Sequence, residues 1–386
     1  MSETKDIVIP RLSARQRLIA LALKPVRIRD GHDNFFTPLR LIMAIMVMVG
    51  HTAIISLRDV EAEPHIFFDY GFSYLAVNLF FIASGFLVTK SICYRRDLPE
   101  YSSARLLRIY PALIVLVAYG MFLIGPLATT LPIWEYLTHP DVWKQPFLIL
   151  SFLNTDFILP DTFSSNMEQF TSVPLWTLRY EMLAYLVTAL AFTLGLMRRK
   201  WMVLAQFILP SLLWIVTKQT GLYDQLPATA EGVLRFGMAY GLGASLFAYR
   251  DKLNFHLLGL FCVTVLTVIC SQIYVMEIVL NLMLAYGLMF FAYLKVPSFK
   301  ALQNLPDLSY GVYIYHWSVL QLAFYWWPGL TPMALFTVAA PVTIALACGS
   351  WYLIEKPALR MKKRFSNYLR FGRARSQHES AKLLLD

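Results

Sequence analysis

Residues 38–57 read PLRLIMAIMVMVGHTAIISL, a run in which only Arg40 and His51 can carry charge. As a helix it is about 30 Å long, the thickness of a bilayer's hydrocarbon core. Its apolar residues lie on every side, so it has no water-facing stripe of the kind a soluble helix keeps. Comparable runs follow at 71–92, 104–128, 174–196, 201–217, 230–248, 254–271, 275–294, 309–328 and 332–354. The spacing predicts an all-α fold, a polytopic membrane helical bundle of about ten transmembrane helices. Composition agrees: of 386 residues, 58% are hydrophobic and only 15% charged, against about 25% charged in soluble domains. A disordered tail, a disulfide scaffold and an ordinary cytosolic enzyme are excluded.

Charge then sorts by side, although it played no part in choosing the spans. An even number of spans puts both termini together. With the termini inside, 28 of the 34 Lys and Arg fall on the inner segments, three (Arg58, Lys144, Lys218) fall outside, and Arg40, Arg179 and Arg235 lie in spans. Eleven acids lie outside and ten inside, so the inner face carries +18, the outer −8 and the spans zero. This is the positive-inside pattern, and it makes both termini cytoplasmic. It also accounts for the net charge of +10 without a nucleic-acid partner.

Three regions follow: a basic cytoplasmic N-terminal tail (1–37), a transmembrane domain (38–357) and a basic cytoplasmic C-terminal tail (358–386). Pro25 and Pro38 interrupt the start, which argues against a cleaved signal peptide. The stretch from Arg11 to Leu23 reads either as an interfacial helix on anionic membrane lipid or as a disordered basic tail. The C-terminal tail shows no sign of an attached soluble domain. A long outer loop, 131–173, holds five acids, Trp134, Trp143 and the apolar piece PFLILSFL. That piece is too short to span comfortably and is expected to be re-entrant or interfacial. Its aromatics suit either sugar stacking or an interfacial belt. The four cysteines fall in spans or at an inner edge, as small apolar residues rather than disulfide partners. No ligand spacing suggests a metal.

Ionisable residues inside a membrane are site candidates by default. Arg40 and His51 lie eleven residues apart, on one face of the first span and about 16 Å apart along it. The readings that assign them no site are snorkelling for Arg40 and an interhelical hydrogen bond for His51. Glu181 is placed about 10 Å below the outer surface, a depth similar to that of His51, so an acid and an imidazole are expected to share a buried site. Tyr185 follows Glu181 on the same helix face. Arg105 and Arg108 mark the inner mouth of the third span and form, with Arg40, either a cytoplasmic phosphate-binding cluster or positive-inside anchors. His316 either lines the same cavity or bonds to a neighbouring helix. Glu355 is expected to pair with a loop arginine.

Together these segments resemble the acyltransferase-3 family of integral membrane acyltransferases. The resemblance runs from about Asn34 to Pro357 through six ordered motifs. They are Arg40-x10-His51, NLFFIASGFLVT around Ser84 and Gly85, RLLRIYP at Arg105–Pro111, VPLWTLRYEMLAY with Trp176 and Glu181, LSYGVYIYHW, and Trp351-x3-Glu355-x-Pro357. No single motif is specific; their order on a ten-span frame is. The resemblance implies a multi-pass protein, expected in the bacterial inner (plasma) membrane. Its implied activity is O-acylation, commonly O-acetylation, of an extracytoplasmic or lipid-linked glycan. Acyl-CoA, commonly acetyl-CoA, would be the cytosolic co-substrate. It makes His51 essential and associates Arg105 and Arg108 with the acyl-CoA end. Some relatives append a hydrolase-like domain; the C-terminal tail implies that this chain finishes transfer itself or hands the acyl group to a separate partner protein.

A mechanism follows as an expectation. Arg40, Arg105 and Arg108 hold the donor's phosphates, and His51 acts as general base on a sugar hydroxyl with Glu181 orienting the imidazole. Backbone donors near Ser84 and Gly85 would stabilise the oxyanion. Trp176, Tyr185 and His316 would line the cavity. A covalent acyl-His51 or acyl-Ser84 intermediate remains open. The rival readings are a transporter or flippase for an anionic or sugar-lipid substrate, which uses the same buried residues, and a structural or sensor subunit.

Overall fold

The computed structural model describes residues 23–29, 31, 34–67, 69–271, 273–295 and 297–370. Residues 11–22 of the N-terminal amphipathic stretch and the tail from Phe371 onward lie outside the described residues. Each of the ten apolar runs contains a helix. In chain order the helices are α1 Phe36–Leu57, α2 Phe72–Arg95, α3 Leu98–Ala128, α4 Ile133–Thr138, α5 Pro140–Leu150 and α6 Leu175–Thr193. They continue with α7 Lys200–Gln219, α8 Ala228–Ala248, α9 Leu257–Ile269, α10 Met276–Tyr293, α11 Ser309–Trp326 and α12 Pro332–Arg360. Six of them, α1, α2, α3, α7, α10 and α12, are long and apolar enough to cross a membrane. By the same measure α6, α8 and α11 fall short in polarity rather than length, because they carry Glu181, Arg235 and His316. Helix α9 has 13 residues, about 20 Å, and is shorter than the 254–271 run led one to expect.

Local chemistry sets the ends. The Asp97 side chain accepts from the Glu100 N–H at the start of α3, and Thr331 does the same for Ala334 at the start of α12, each with a proline in the first turn. Two helices contain a single wide π-turn, Gly120–Ile124 in α3 and Trp351–Glu355 in α12. Such a turn adds one residue to the ordinary helical ladder.

Helix α11 is the centre of the bundle. Every residue from Ser309 to Gln321 is buried, and the helix packs on α1 and α12. Beside it α2 and α8 approach so closely that a Cβ on Gly85 would lie 2.0 Å from the Tyr240 carbonyl oxygen, and one on Gly243 2.0 Å from that of Ile82. Only glycine permits this contact.

Three short antiparallel pairs organise the loops. Val26–Arg27 pairs with Asn254–Phe255. His65–Phe67 pairs with Tyr70–Gly71, folding the α1–α2 loop over the end of α1. Phe157–Ile158 pairs with Phe170–Ser172 within the long loop. In that loop α5 buries Val142, Gln145 and Ile149 and leaves Trp143 and Phe147 exposed. The piece PFLILSFL closes α5 at Leu150, whose carbonyl accepts from the Tyr110 hydroxyl. The four cysteines are free thiols.

Candidate active site

Two cavities lie end to end in the bundle. The first, of about 400 Å³, opens between α1, α2, α3, α6 and α11, and Arg40, Ser84, Arg105, Arg108, Glu181 and Tyr185 are among its walls. Five cations line it, counting Arg95 and Lys362, against two carboxylates, Glu181 and Asp307. Asp307, in the loop before α11, accepts from Arg40 at 2.8 Å and Arg108 at 2.9 Å through one oxygen, and from the Ser309 hydroxyl at 2.6 Å through the other. Burial pushes its carboxyl up, but the Arg108 and Arg40 guanidiniums outweigh burial and hold it well below the usual carboxylate range. Arg108 also reaches Glu355 at 2.9 Å, and Glu355 accepts from the Ser350 hydroxyl at 2.9 Å. Arg105 differs. It makes no ion pair among the described residues, lies 5.5 Å from the centre of the Tyr185 ring, and buries an Nε with no hydrogen-bond partner. That is a cation held ready for an anion.

The second cavity, of about 230 Å³, is lined by His51, Glu61, Glu63, Asp69, Trp176 and Arg235, among others. His51 Nδ1 lies 2.8 Å from His316 Nε2, and His316 Nδ1 lies 3.0 Å from the Val312 carbonyl oxygen. A carbonyl can only accept, so His316 Nδ1 carries a proton. In neutral His316 the Nε2 is then a lone pair, which requires His51 Nδ1 to donate and leaves His51 Nε2 as the basic nitrogen. The Trp317 ring meets His51 edge-on at 4.9 Å, and its indole N–H donates to the Phe170 carbonyl, fixing it from the long loop. At the other wall Glu277 accepts from the Tyr74 hydroxyl and the Asn78 amide at 2.8 and 2.9 Å. The Asn78 oxygen in turn accepts from Arg235. Glu63 is fixed by the backbone N–H and hydroxyl of Ser73. Among the described residues no group of three or more His, Cys, Asp or Glu is placed to hold a metal ion.

A family model described as an acyltransferase domain matches residues 34–352. The chain belongs to this acyltransferase-3 family. Among relatives, a protein named O-acetyl transferase from Shigella phage Sf6 is 27% identical over 329 residues, covering 84% of this chain and 95% of its own. Another, named Nodulation protein 10, from Rhizobium leguminosarum bv. viciae, is 28% identical over 366 residues, covering 86% of this chain and 95% of its own. No solved structure matches. The chain is therefore an acyltransferase, and its apolar helices make it an integral membrane protein.

Within this acyltransferase the residues expected to act together divide between the two cavities. Arg40, Arg105, Arg108, Ser84, Glu181 and Tyr185 share the first, while His51 and Trp176 line the second. The expected pairing of His51 with Glu181 is not formed. Similar depth did not bring them to the same side: His51 turns to His316, and Glu181 accepts from the Tyr185 hydroxyl. Glu355 pairs with Arg108 of α3 rather than with a loop arginine. The backbone around Ser84 and Gly85 offers no oxyanion donors, because it sits in the middle of α2, where each N–H is spent on the carbonyl four residues back. The Ser84 side chain still faces the cavity.

Sequence reasoning missed Asp307, Arg235, Glu277 and Tyr313. For two of these a signal existed. The spans were electrically neutral, with Arg235 and Glu277 unassigned, and compensating charges in a membrane mark polar networks. Asp307 looked like one loop acid among ten on the inner face.

Proposed function

We propose that this acyltransferase moves an acyl group, acetyl being the expected one, from cytosolic acyl-CoA to a hydroxyl of an extracytoplasmic or lipid-linked glycan. In this reading it spans the bacterial inner membrane about ten times, with both termini cytoplasmic. The observation that carries it is the pair of cavities placed end to end, one rich in unneutralised cation and the other holding a histidine dyad. The name of the phage relative, O-acetyl transferase, supports the ester chemistry.

Residues divide the work accordingly. Arg105 grips donor phosphate, helped by the positive field of the arginines around it. Asp307 and Glu355 hold Arg40 and Arg108 in place, so these two shape the cavity more than they bind. His51 Nε2 removes the proton from the sugar hydroxyl as its oxygen attacks the thioester carbonyl. The C–S bond breaks, and CoA leaves as a thiol once the proton is returned to sulfur. His316 holds the imidazole in the required tautomer, the role first given to Glu181. Glu181 and Tyr185 act instead beside Arg105, on the donor. Trp176 offers the acceptor ring an aromatic face. A separate partner protein as the first acyl acceptor fits the same chemistry.

The test is to load membrane vesicles with labelled acetyl-CoA and candidate glycans, comparing wild type with His51→Ala and Arg105→Ala. Label is expected in a glycan with wild type only. Full transfer by His51→Ala at normal protein levels would end the proposal.

A further inference from the structure

The two cavities share two lining residues, Val77 of α2 and Tyr313 of α11. Both are nearly buried, at 7% and 8% exposed. They are thus a wall one side chain thick between the arginine cavity and the histidine cavity.

The Tyr313 ring is held at its edge and at its tip. Its edge meets Phe80, a wall of the arginine cavity, with ring centres 5.6 Å apart, and its other neighbour is the His316 imidazole at 6.3 Å. Its hydroxyl lies 2.8 Å from Thr177 Oγ1. The Thr177 hydroxyl has one proton and gives it to the Pro174 carbonyl at 3.0 Å. Tyr313 must therefore donate to Thr177. This latch joins α11 to the first turn of α6, between Thr177 on the arginine side and Pro174 on the histidine side.

We propose that Tyr313 is a shutter between the donor and acceptor cavities, latched by Thr177, and that it decides whether the acyl group goes to a sugar hydroxyl or to water. The inference rests on the two-cavity acyltransferase reading above. Closed, the ring keeps the thioester away from His51 and from water in the acid-lined cavity. Turned aside, it lets the thioester carbonyl reach the hydroxyl that His51 deprotonates. In the productive reaction the sugar oxygen bonds to the carbonyl carbon, the C–S bond breaks and CoA leaves as its thiol. With water in place of the sugar the same steps give free carboxylic acid and CoA thiol, the side reaction that a closed active site prevents. Tyr313 is thus a specificity-determining residue, distinct from the base and from the phosphate grip.

Two rates decide it in purified, reconstituted protein: CoA thiol released from acetyl-CoA without acceptor, and acetyl group delivered to glycan. In wild type, release without acceptor is expected to be a small fraction of the coupled rate. Tyr313→Ala, which opens the wall, is expected to raise it about tenfold and to lower the share of acyl groups reaching glycan. Thr177→Val and Tyr313→Phe, which remove the latch but keep the wall's bulk, are expected to shift the same ratio about threefold, and they carry the test if Tyr313→Ala does not accumulate. A ratio of release to transfer unchanged from wild type in the variants that accumulate overturns the shutter while leaving the acyltransferase reading intact. Wild type that neither releases CoA nor acylates any glycan overturns that reading, and the shutter falls with it.

Discussion

The His51 imidazole has one nitrogen committed to His316 and the other turned to the second cavity. That commitment gives His316 a measurable consequence. His316→Phe keeps a ring but removes the acceptor for His51 Nδ1–H, so the basic nitrogen is no longer fixed. It is expected to lower kcat about tenfold to a hundredfold with little change in the KM for acyl-CoA, in steady-state assays on reconstituted protein. An unchanged kcat would return the orienting role to Glu181. Arg108 lies at the opposite extreme, held between two carboxylates with its side chain 12% exposed. Arg108→Ala strands Glu355 in the interior, a change that costs about 3–5 kcal/mol in buried pairs, so loss of thermal stability in detergent is expected before any kinetic effect is read. Asp307 adds a pH dependence of definite sign. Its carboxyl is held below the unfolded value of about 3.9, so its ion pairs contribute fully above that value and are lost only as pH falls through the lower, folded one. The melting deficit of Asp307→Asn is therefore expected to be the same at pH 7 and pH 5; a deficit that vanishes at pH 5 would show that Arg40 and Arg108 do not hold the group.

Between helices, the contact of α2 and α8 depends on Gly85 and Gly243. A side chain at either meets backbone oxygen, which cannot turn away as a flexible side chain can. Gly85→Val and Gly243→Val are expected to destabilise by at least about 1–3 kcal/mol, measured as a lowered melting temperature in detergent. Gly237→Ala on α8, whose new methyl would meet only Pro210 at 3.9 Å, is expected to melt like wild type. Elements of this kind mark the limit of what the sequence could reveal. The apolar runs located every long helix, and the spacing of Arg40 and His51 put both at a cavity, because rise and periodicity are properties of a single helix. The partnership of His51 and Glu181 failed because it used depth alone, and two helices at equal depth can turn their residues to different neighbours. The π-turns escaped notice because one added residue leaves no mark in an apolar run. Asp307 was hidden because its importance comes from two arginines 267 and 199 positions away.

Taken whole, the molecule separates its charges by end as well as by cavity. Arginines gather about the first cavity and carboxylates about the second, in the same sense as the positive-inside sorting of the loops. Donor and acceptor are thus expected to arrive from opposite faces. Sealed vesicles with the tails facing outward should consume added acetyl-CoA, and sealed vesicles of the opposite orientation should do so only after permeabilisation. Equal consumption by both would refute the orientation. One local feature has a bearing on the chain's length. The wide turn at Trp351–Glu355 supplies a residue that a regular helix would lack, and downstream of it Lys362 lines the arginine cavity. Deleting a single residue there would restore the ordinary ladder and swing everything beyond it by about 100°, taking Lys362 out of the cavity and Glu355 away from Arg108. In this segment the chain should tolerate a change of letter more readily than a change of count, so substitutions are expected to be permitted where one-residue indels are not.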